Sequence, residues 1–162
     1  MAREILFKAK RKDNSEWIEG SLIISGEYAC ILKKDDGEWD YPYLNANTGT
    51  FDGEATPILS ETICQYTGLN DKNGDKIWEN DIANIFSRDY CGLNKNGVVV
   101  FHEGAYCVKY EQRYGSIIDS IYHRIGKIGK WQDMSASGIM NYTYARLGDI
   151  FDNPGLLEGG AE

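Results

Sequence analysis

Four carboxylates in one short stretch are the first candidates for chemistry. Asp71, Asp75, Glu79 and Asp81 all lie between Tyr66 and Phe86. Paired carboxylates can act as a general acid and base, or they can bind a metal ion. These four residues also flank tight turns, where Asp is favoured because its side chain accepts hydrogen bonds from nearby backbone N–H groups. We therefore interpret them as turn residues rather than as a catalytic pair.

The spacing of Asp71, Asn73 and Asp75 resembles the beginning of a calcium-binding EF-hand loop. A loop of that kind starting at Asp71 would need Gly at position 76 and a bidentate Glu at position 82. The chain has Lys76 and Ile82 there instead. The sequence therefore predicts no metal site in this stretch.

Two histidines are the remaining candidates for acid–base chemistry. His102 stands beside Glu103 at the end of a predicted strand, and His123 stands between Tyr122 and Arg124. Either imidazole could act as a general base, although a His near a turn is commonly half-buried for packing reasons alone. The sequence contains no nucleophile elbow, His-Glu-x-x-His pair or phosphate-binding glycine loop. We expect no catalytic site and a protein that is not an enzyme.

The four cysteines are too far apart in sequence to suggest a zinc site, at positions Cys30, Cys64, Cys91 and Cys107. We expect no metal and no cofactor, and we expect the thiols to be reduced and mostly buried. The chain opens without the pattern of a signal peptide, and it has no apolar run of the ~20 residues that a membrane span needs. These observations predict a cytoplasmic protein without a membrane partner.

The strongest local signal is the dipeptide Asn73-Gly74. It predicts a two-residue type I′ hairpin turn, which needs positive φ at both residues. Apolar and aromatic residues on both sides of the turn predict a strand before it and another after it. A second bend follows at 79–81, where Asn80 is expected to adopt the left-handed conformation.

These residues carry a resemblance to a known family. The runs 66–69 (Tyr-Thr-Gly-Leu), 71–74 (Asp-Lys-Asn-Gly) and 77–82 (Ile-Trp-Glu-Asn-Asp-Ile) resemble the signature of the YopX family of phage and prophage proteins. Residues 3–9 resemble its opening strand and residues 147–157 resemble its ending. The family usually has Gly where this chain has Asn80. The resemblance implies a phage or prophage origin and no established enzymatic role. It also implies a structural hairpin motif formed by Tyr66, Thr67, Gly68, Leu69, Asp71, Asn73, Gly74, Trp78 and Asp81.

Composition and periodicity predict a mainly β protein. The chain has 162 residues and is 42% apolar, and turn signals separate about ten short strands. We expect an N-terminal β meander in residues 1–57, which ends in an irregular aromatic-rich linker. We expect a small SH3-like β-barrel in residues 58–162, an assignment made by analogy. Residues 116–124 fit either a short helix, with Ser116 as its N-cap, or a strand.

The charge and the aromatic residues bear on partners. A net charge of −8 disfavours nucleic acid, and the one dense basic stretch (residues 8–12) is interpreted as a solvated turn. Aromatic residues in the linker are candidates for an interface: Trp39, Tyr41, Tyr43 and Phe51. We expect a homo-oligomeric interaction or assembly module, for which a phage or host protein is a further candidate partner. The alternative is a nucleic-acid-associated or regulatory β-barrel protein.

Overall fold

The computed structural model describes residues 4–33, 43–44, 51–52, 55–87, 94–114, 116–125, 130–135 and 138–157. The chain forms two compact units, Met1–Tyr66 and Thr67–Glu162. The sequence predicts a second domain from residue 58, whereas the division between the two units lies within strand β7, Cys64–Asn70.

Strands account for most of the described residues, which confirms the prediction of a mainly β protein. In unit 1 and at the boundary they are β1 (Phe7–Lys10), β2 (Trp17–Ser25), β3 (Tyr28–Leu32), β4 (Tyr43–Leu44), β5 (Phe51–Asp52), β6 (Ala55–Pro57) and β7 (Cys64–Asn70). In unit 2 they are β8 (Lys76–Trp78), β9 (Asp81–Ser87), β10 (Asn94–His102), β11 (Ala105–Tyr114), β12 (Ile117–Arg124), β13 (Lys130–Ser135) and β14 (Gly138–Asp149).

Unit 1 is built on the predicted meander. Strands β1, β2 and β3 pair antiparallel in order, with Phe7 opposite Gly20 and Ile23 opposite Cys30. Strand β6 extends the sheet beside β3, and the first residues of β7 pair with β1. The alternating apolar residues of these strands bury one face, whose core contains Ala9, Ala29, Ile31 and Ile58. Strands β4 and β5 form a separate two-residue pair.

Unit 2 contains a six-stranded antiparallel sheet in the order β12-β11-β10-β9-β14-β13. Its register places Val99 opposite Val108 and Tyr110 opposite Ile121. These positions lie on one face of the sheet because side chains alternate along a strand. That face forms the core of the unit, with Ile77, Ala83, Ile85, Val99, Tyr106, Val108, Tyr110 and Ile125. The SH3-like barrel expected from the sequence stays a prediction.

The expectation of a short helix at 116–124 is wrong, and the strand alternative is the correct one. Residues Ile117–Arg124 form β12, which pairs with β11 over its whole length. The i, i+4 spacing of Ile117 and Ile121 is also an even spacing, so both residues fall on one face of a strand. Pairing with β11 therefore buries Ile121 against the core, as a helix would have done, and periodicity alone could not separate the two.

Helices in the described parts of the chain are limited to two 3₁₀ turns, Ser60–Thr62 and Pro154–Leu157. Across those same residues, no helix has the length and apolar character needed to cross a membrane.

Candidate functional site

The predicted hairpin joins β7 to β8, but its turn differs from the one expected. The N–H of Asp71 donates to the carbonyl of Asp75 (2.8 Å), and the N–H of Gly74 donates to the carbonyl of Asp71 (3.2 Å). Gly74 has φ of 95°, whereas Asn73 is not among the residues with positive φ. The prediction of a two-residue type I′ turn is therefore wrong. The loop has three residues, with Gly in the left-handed conformation after a tight turn, as in hairpins that carry a glycine bulge.

The carboxylate of Asp71 explains why the longer loop forms. It is buried, and its Oδ1 accepts the N–H groups of Asn73 (2.7 Å) and Asp75 (3.1 Å). Its Oδ2 accepts the side-chain amide of Asn73 (3.3 Å) and the backbone N–H of Arg146 (3.2 Å). These bonds confirm the interpretation of Asp71 as a turn residue. They also connect the hairpin to β14, 75 residues away along the chain.

Asp81 closes the second bend in the same way. Its side chain is fully buried, and its Oδ2 accepts the backbone N–H of Trp78 at 2.8 Å. The Nε of Arg146 lies 2.9 Å from the same oxygen. This contact is an ion pair between a fully buried carboxylate and a partly buried guanidinium group.

Asp149 is a third carboxylate near the same guanidinium group. Its Oδ2 lies 3.7 Å from Nη2 of Arg146, and its Oδ1 accepts the N–H groups of Phe151 and Asp152. A bulge between Arg146 and Gly148 brings the side chains of residues 146 and 149 to the same side of β14. Burial lowers the pKa of Arg146, but the negative charges of Asp81 and Asp149 outweigh that effect and raise it. We call Asp71, Asp81, Arg146 and Asp149 the Arg146 cluster.

The second bend also confirms the prediction for Asn80. This residue has φ of 65°, within the left-handed region. Its N–H donates to the carbonyl of Val99 (2.8 Å), and its carbonyl accepts the N–H of Ile150 (3.1 Å). The bend is thereby attached to β10 and to the end of β14, which explains why the chain must turn sharply at this residue.

Replacing Asn80 by Ala is expected to lower the free energy of unfolding by about 1–2 kcal/mol, because a Cβ without a locally bonding side chain disfavours the left-handed conformation. Asn80→Gly is the matched control, since Gly adopts this conformation freely and is the residue that the family usually has. Urea unfolding of both variants measures the difference. Equal losses for Ala and Gly would show that the Asn side chain, and not the backbone conformation, matters here.

The other residues of the hairpin motif also make contacts within the fold. Thr67 Oγ1 donates to the carbonyl of Ile77 (2.9 Å) and accepts the N–H of Leu69 (3.2 Å), and Leu69 packs against the core of unit 2. Tyr66 and Trp78 are buried, and Gly68 has φ of 81°. In the structure these residues build the hairpin.

His102 contacts an aromatic ring. Its imidazole stacks on Tyr122 with ring centroids 3.9 Å apart and planes inclined by 15°. Its Nε2 is 3.9 Å from the exposed carboxylate of Glu103, beyond hydrogen-bond distance. The structure therefore places His102 in a packing contact. His123 lies opposite Val108 in the register of β12, and its side chain is outside the described residues.

The basic stretch is only partly the solvated turn that the sequence predicted, since Lys12 lies in an exposed turn but Lys8 and Lys10 do not. Lys8 and Lys10 lie in β1, and Lys8 is buried. Their ammonium groups lie 4.6 and 5.5 Å from the ring of Trp17, within the range of cation–π attraction. Arg11 pairs with Asp13 at the surface. These contacts engage most of the stretch within unit 1.

The predicted interface residues fall largely outside what the structure describes. Trp39 and Tyr41 lie outside the described residues. Tyr43 and Phe51 lie in the two-residue pair of β4 and β5, and their side chains are outside the described set. An interface formed by these four aromatic residues stays a prediction.

Within the described ranges, no group of three or more His, Cys, Asp or Glu residues is placed to hold a metal ion. Cys30, Cys64 and Cys107 are buried free thiols, and burial raises the pKa of Cys30 and Cys107. A raised pKa reduces the fraction of reactive thiolate. Cys91 lies outside the described residues.

Sequence reasoning missed Arg146 and the role of Asp149. The backbone N–H of Arg146 bonds to Asp71, 75 residues away along the chain, and contacts at such a distance leave no periodic signal in a single sequence. The one signal available for this region was the resemblance of residues 147–157, which include Asp149, to the ending of the family.

The comparisons with known proteins agree with the motif. No curated protein matches the chain. The family model described as YopX protein matches residues 6–158, which includes the hairpin and every member of the Arg146 cluster. The chain therefore belongs to the YopX family.

Proposed function

We propose that this protein is a non-enzymatic, homo-oligomeric interaction or assembly module, encoded by a phage or prophage and acting in the cytoplasm of the bacterial host. Two of the four carboxylates that were candidates for chemistry, Asp71 and Asp81, support the first part. Both accept backbone N–H groups, and Asp81 also pairs with Arg146, so their oxygens serve the fold of unit 2.

One observation carries the oligomeric part of the proposal. Strand β12 lies at the end of the sheet in unit 2 and exposes apolar side chains on the face opposite the core. Ile118 is 55% exposed and Tyr122 is 39% exposed, two residues either side of Ser120. Edge strands of monomers commonly carry Lys, Pro or a bulge that prevents pairing with another chain. Strand β12 has neither Lys nor Pro, its register with β11 is continuous, and its charged residues are limited to Asp119 and Arg124 apart from His123.

Size-exclusion chromatography with light scattering tests the proposal across a wide range of protein concentration. We expect the wild-type chain to elute as a defined oligomer. Ile118→Lys is expected to shift the population towards the monomer, because a charged side chain in an apolar contact must lose its hydration. Ile24→Lys is the matched control, since Ile24 is 62% exposed on a strand of unit 1. This control should elute as the wild type does.

Three results would contradict the proposal or its contact surface. A wild-type chain that remains monomeric at every concentration would remove its oligomeric part. A monomer that co-elutes with nucleic acid would instead favour the alternative of a nucleic-acid-associated protein. Equal effects of Ile118→Lys and Ile24→Lys would show that the outer face of β12 is not the contact.

A further inference from the structure

We propose that β12 pairs antiparallel with β12 of a second copy, with the twofold axis passing through Ser120. This inference rests on the proposed function and specifies its interface. Among the described strands, β12 pairs with β11 alone and stands at the end of the sheet. The outer edge of such a strand carries a row of backbone N–H and carbonyl groups that can pair with another strand. A second copy of the same strand can accept and donate these bonds in an isologous contact.

Symmetry restricts the registers that such a contact can use. Residues directly opposite each other in an antiparallel pair lie on the same face of the sheet, and side chains alternate between faces along each strand. The twofold axis must therefore lie midway between the two copies of one residue, which face each other directly. It cannot lie where two different residues face each other. The candidate centres in the middle of β12 are Asp119, Ser120 and Ile121.

The exposed side chains distinguish these three registers. With the axis at Ser120, Ile118 of each copy lies opposite Tyr122 of the other, and the two serines face each other. β-branched and aromatic residues make favourable cross-strand pairs. This register forms two such pairs between Ile118 and Tyr122, one on each side of the axis. With the axis at Ile121, Ile118 lies opposite the charged Arg124. With the axis at Asp119, Ile118 lies opposite Ser120, so the two exposed apolar side chains do not meet.

The neighbouring charges are compatible with the same register. On β11, Arg113 lies beside Ile118, Glu111 beside Ser120, and Lys109 beside Tyr122. Across the dimer, Arg113 would face Lys109 of the second copy, and Glu111 would face its own equivalent. Each of these like-charged pairs would be three strand spacings apart, roughly 14 Å. That distance exceeds the Debye length of about 8–10 Å at moderate ionic strength, so repulsion across the axis is largely screened.

Disulfide trapping of the full-length chain tests the register. In Ser120→Cys the two new thiols lie directly opposite each other, at a Cα separation of about 4.5–5.5 Å that suits a disulfide. Ser116→Cys is the matched control, because Ser116 is also an exposed serine and directly precedes β12. In the proposed register residue 116 lies opposite Arg124, so the two thiols introduced by Ser116→Cys would be roughly 27 Å apart. The wild-type chain under the same oxidation reports any cross-linking through the native cysteines.

We expect most of the Ser120→Cys chain to become a covalent dimer that dithiothreitol reverses, and no comparable dimer from Ser116→Cys or from the wild type. Peptide mass spectrometry should find the bond between the two cysteines introduced at position 120. If the wild type is oligomeric but Ser120→Cys cross-links no better than Ser116→Cys, the oligomer uses another surface or register and this inference is wrong. If the wild type is monomeric throughout, the proposed function itself fails.

Discussion

Replacing Asp81 by Ala is expected to lower the free energy of unfolding of unit 2 by about 3–5 kcal/mol, the range for removing one partner of a buried ion pair. Asp81 is fully buried, and its carboxylate makes two contacts at once. The substitution removes the acceptor of the Trp78 N–H, which closes the bend before β9. It also leaves Arg146, two-thirds buried, without the carboxylate nearest to its Nε.

Urea unfolding together with hydrogen exchange would measure this loss. Exchange should accelerate at the amides of β8, β9 and β14, while the amides of β1 to β3 in unit 1 serve as an internal reference. Asp81→Asn keeps an oxygen that can accept the Trp78 N–H but removes the charge, so its loss should be smaller. Asp13→Ala removes an exposed partner of an ion pair and should change little. A loss for Asp81→Ala no greater than that of Asp13→Ala would contradict the role given to the Arg146 cluster.

Local patterns in the sequence were sufficient to predict the elements but not all of the contacts between them. The alternation of residues 5–9 and the turn signals after them predicted the meander of β1 to β3, and Asn80 was correctly expected in the left-handed conformation. These features depend on backbone preferences and on side-chain periodicity, both of which a single sequence contains. At Ile117 and Ile121 the same periodicity fitted two structures, and pairing with β11 decided between them.

The turn at Asn73-Gly74 shows why some local predictions fail. The dipeptide alone favours a two-residue loop. In the structure the preceding Asp71 accepts the N–H groups of Asn73 and Asp75, and it is itself buried beside the backbone of Arg146. The same carboxylate therefore bonds both to its own three-residue loop and to β14, at a residue 75 positions away along the chain. The Arg146 cluster could not be predicted for the same reason, because its members meet only when β14 pairs with β9.

Replacing Asp71 by Ala is expected to lower the free energy of unfolding by about 2–4 kcal/mol. Hydrogen bonds to a charged group contribute about 1.5–3 kcal/mol each, and the contributions of bonds that share one carboxylate are not additive. The substitution removes the acceptor for three backbone N–H groups and one side-chain amide. The loop would lose the bonds that hold its three-residue form, and the hairpin would lose its link to β14.

Two control variants distinguish the bonds that Asp71 makes within its own loop from the bond that it accepts from Arg146. Asp75→Ala removes an exposed carboxylate from the same loop and should change stability by no more than about 0.5 kcal/mol. Asp71→Asn keeps one carbonyl oxygen, which can still accept the N–H groups of Asn73 and Asp75 as Oδ1 does, but its amide nitrogen cannot accept the N–H of Arg146. Urea unfolding should therefore rank the losses as Asp71→Ala, then Asp71→Asn, then Asp75→Ala. If Asp71→Asn were as stable as the wild type, Asp71 would act on its own loop alone, and the link to β14 would contribute nothing to the stability of unit 2.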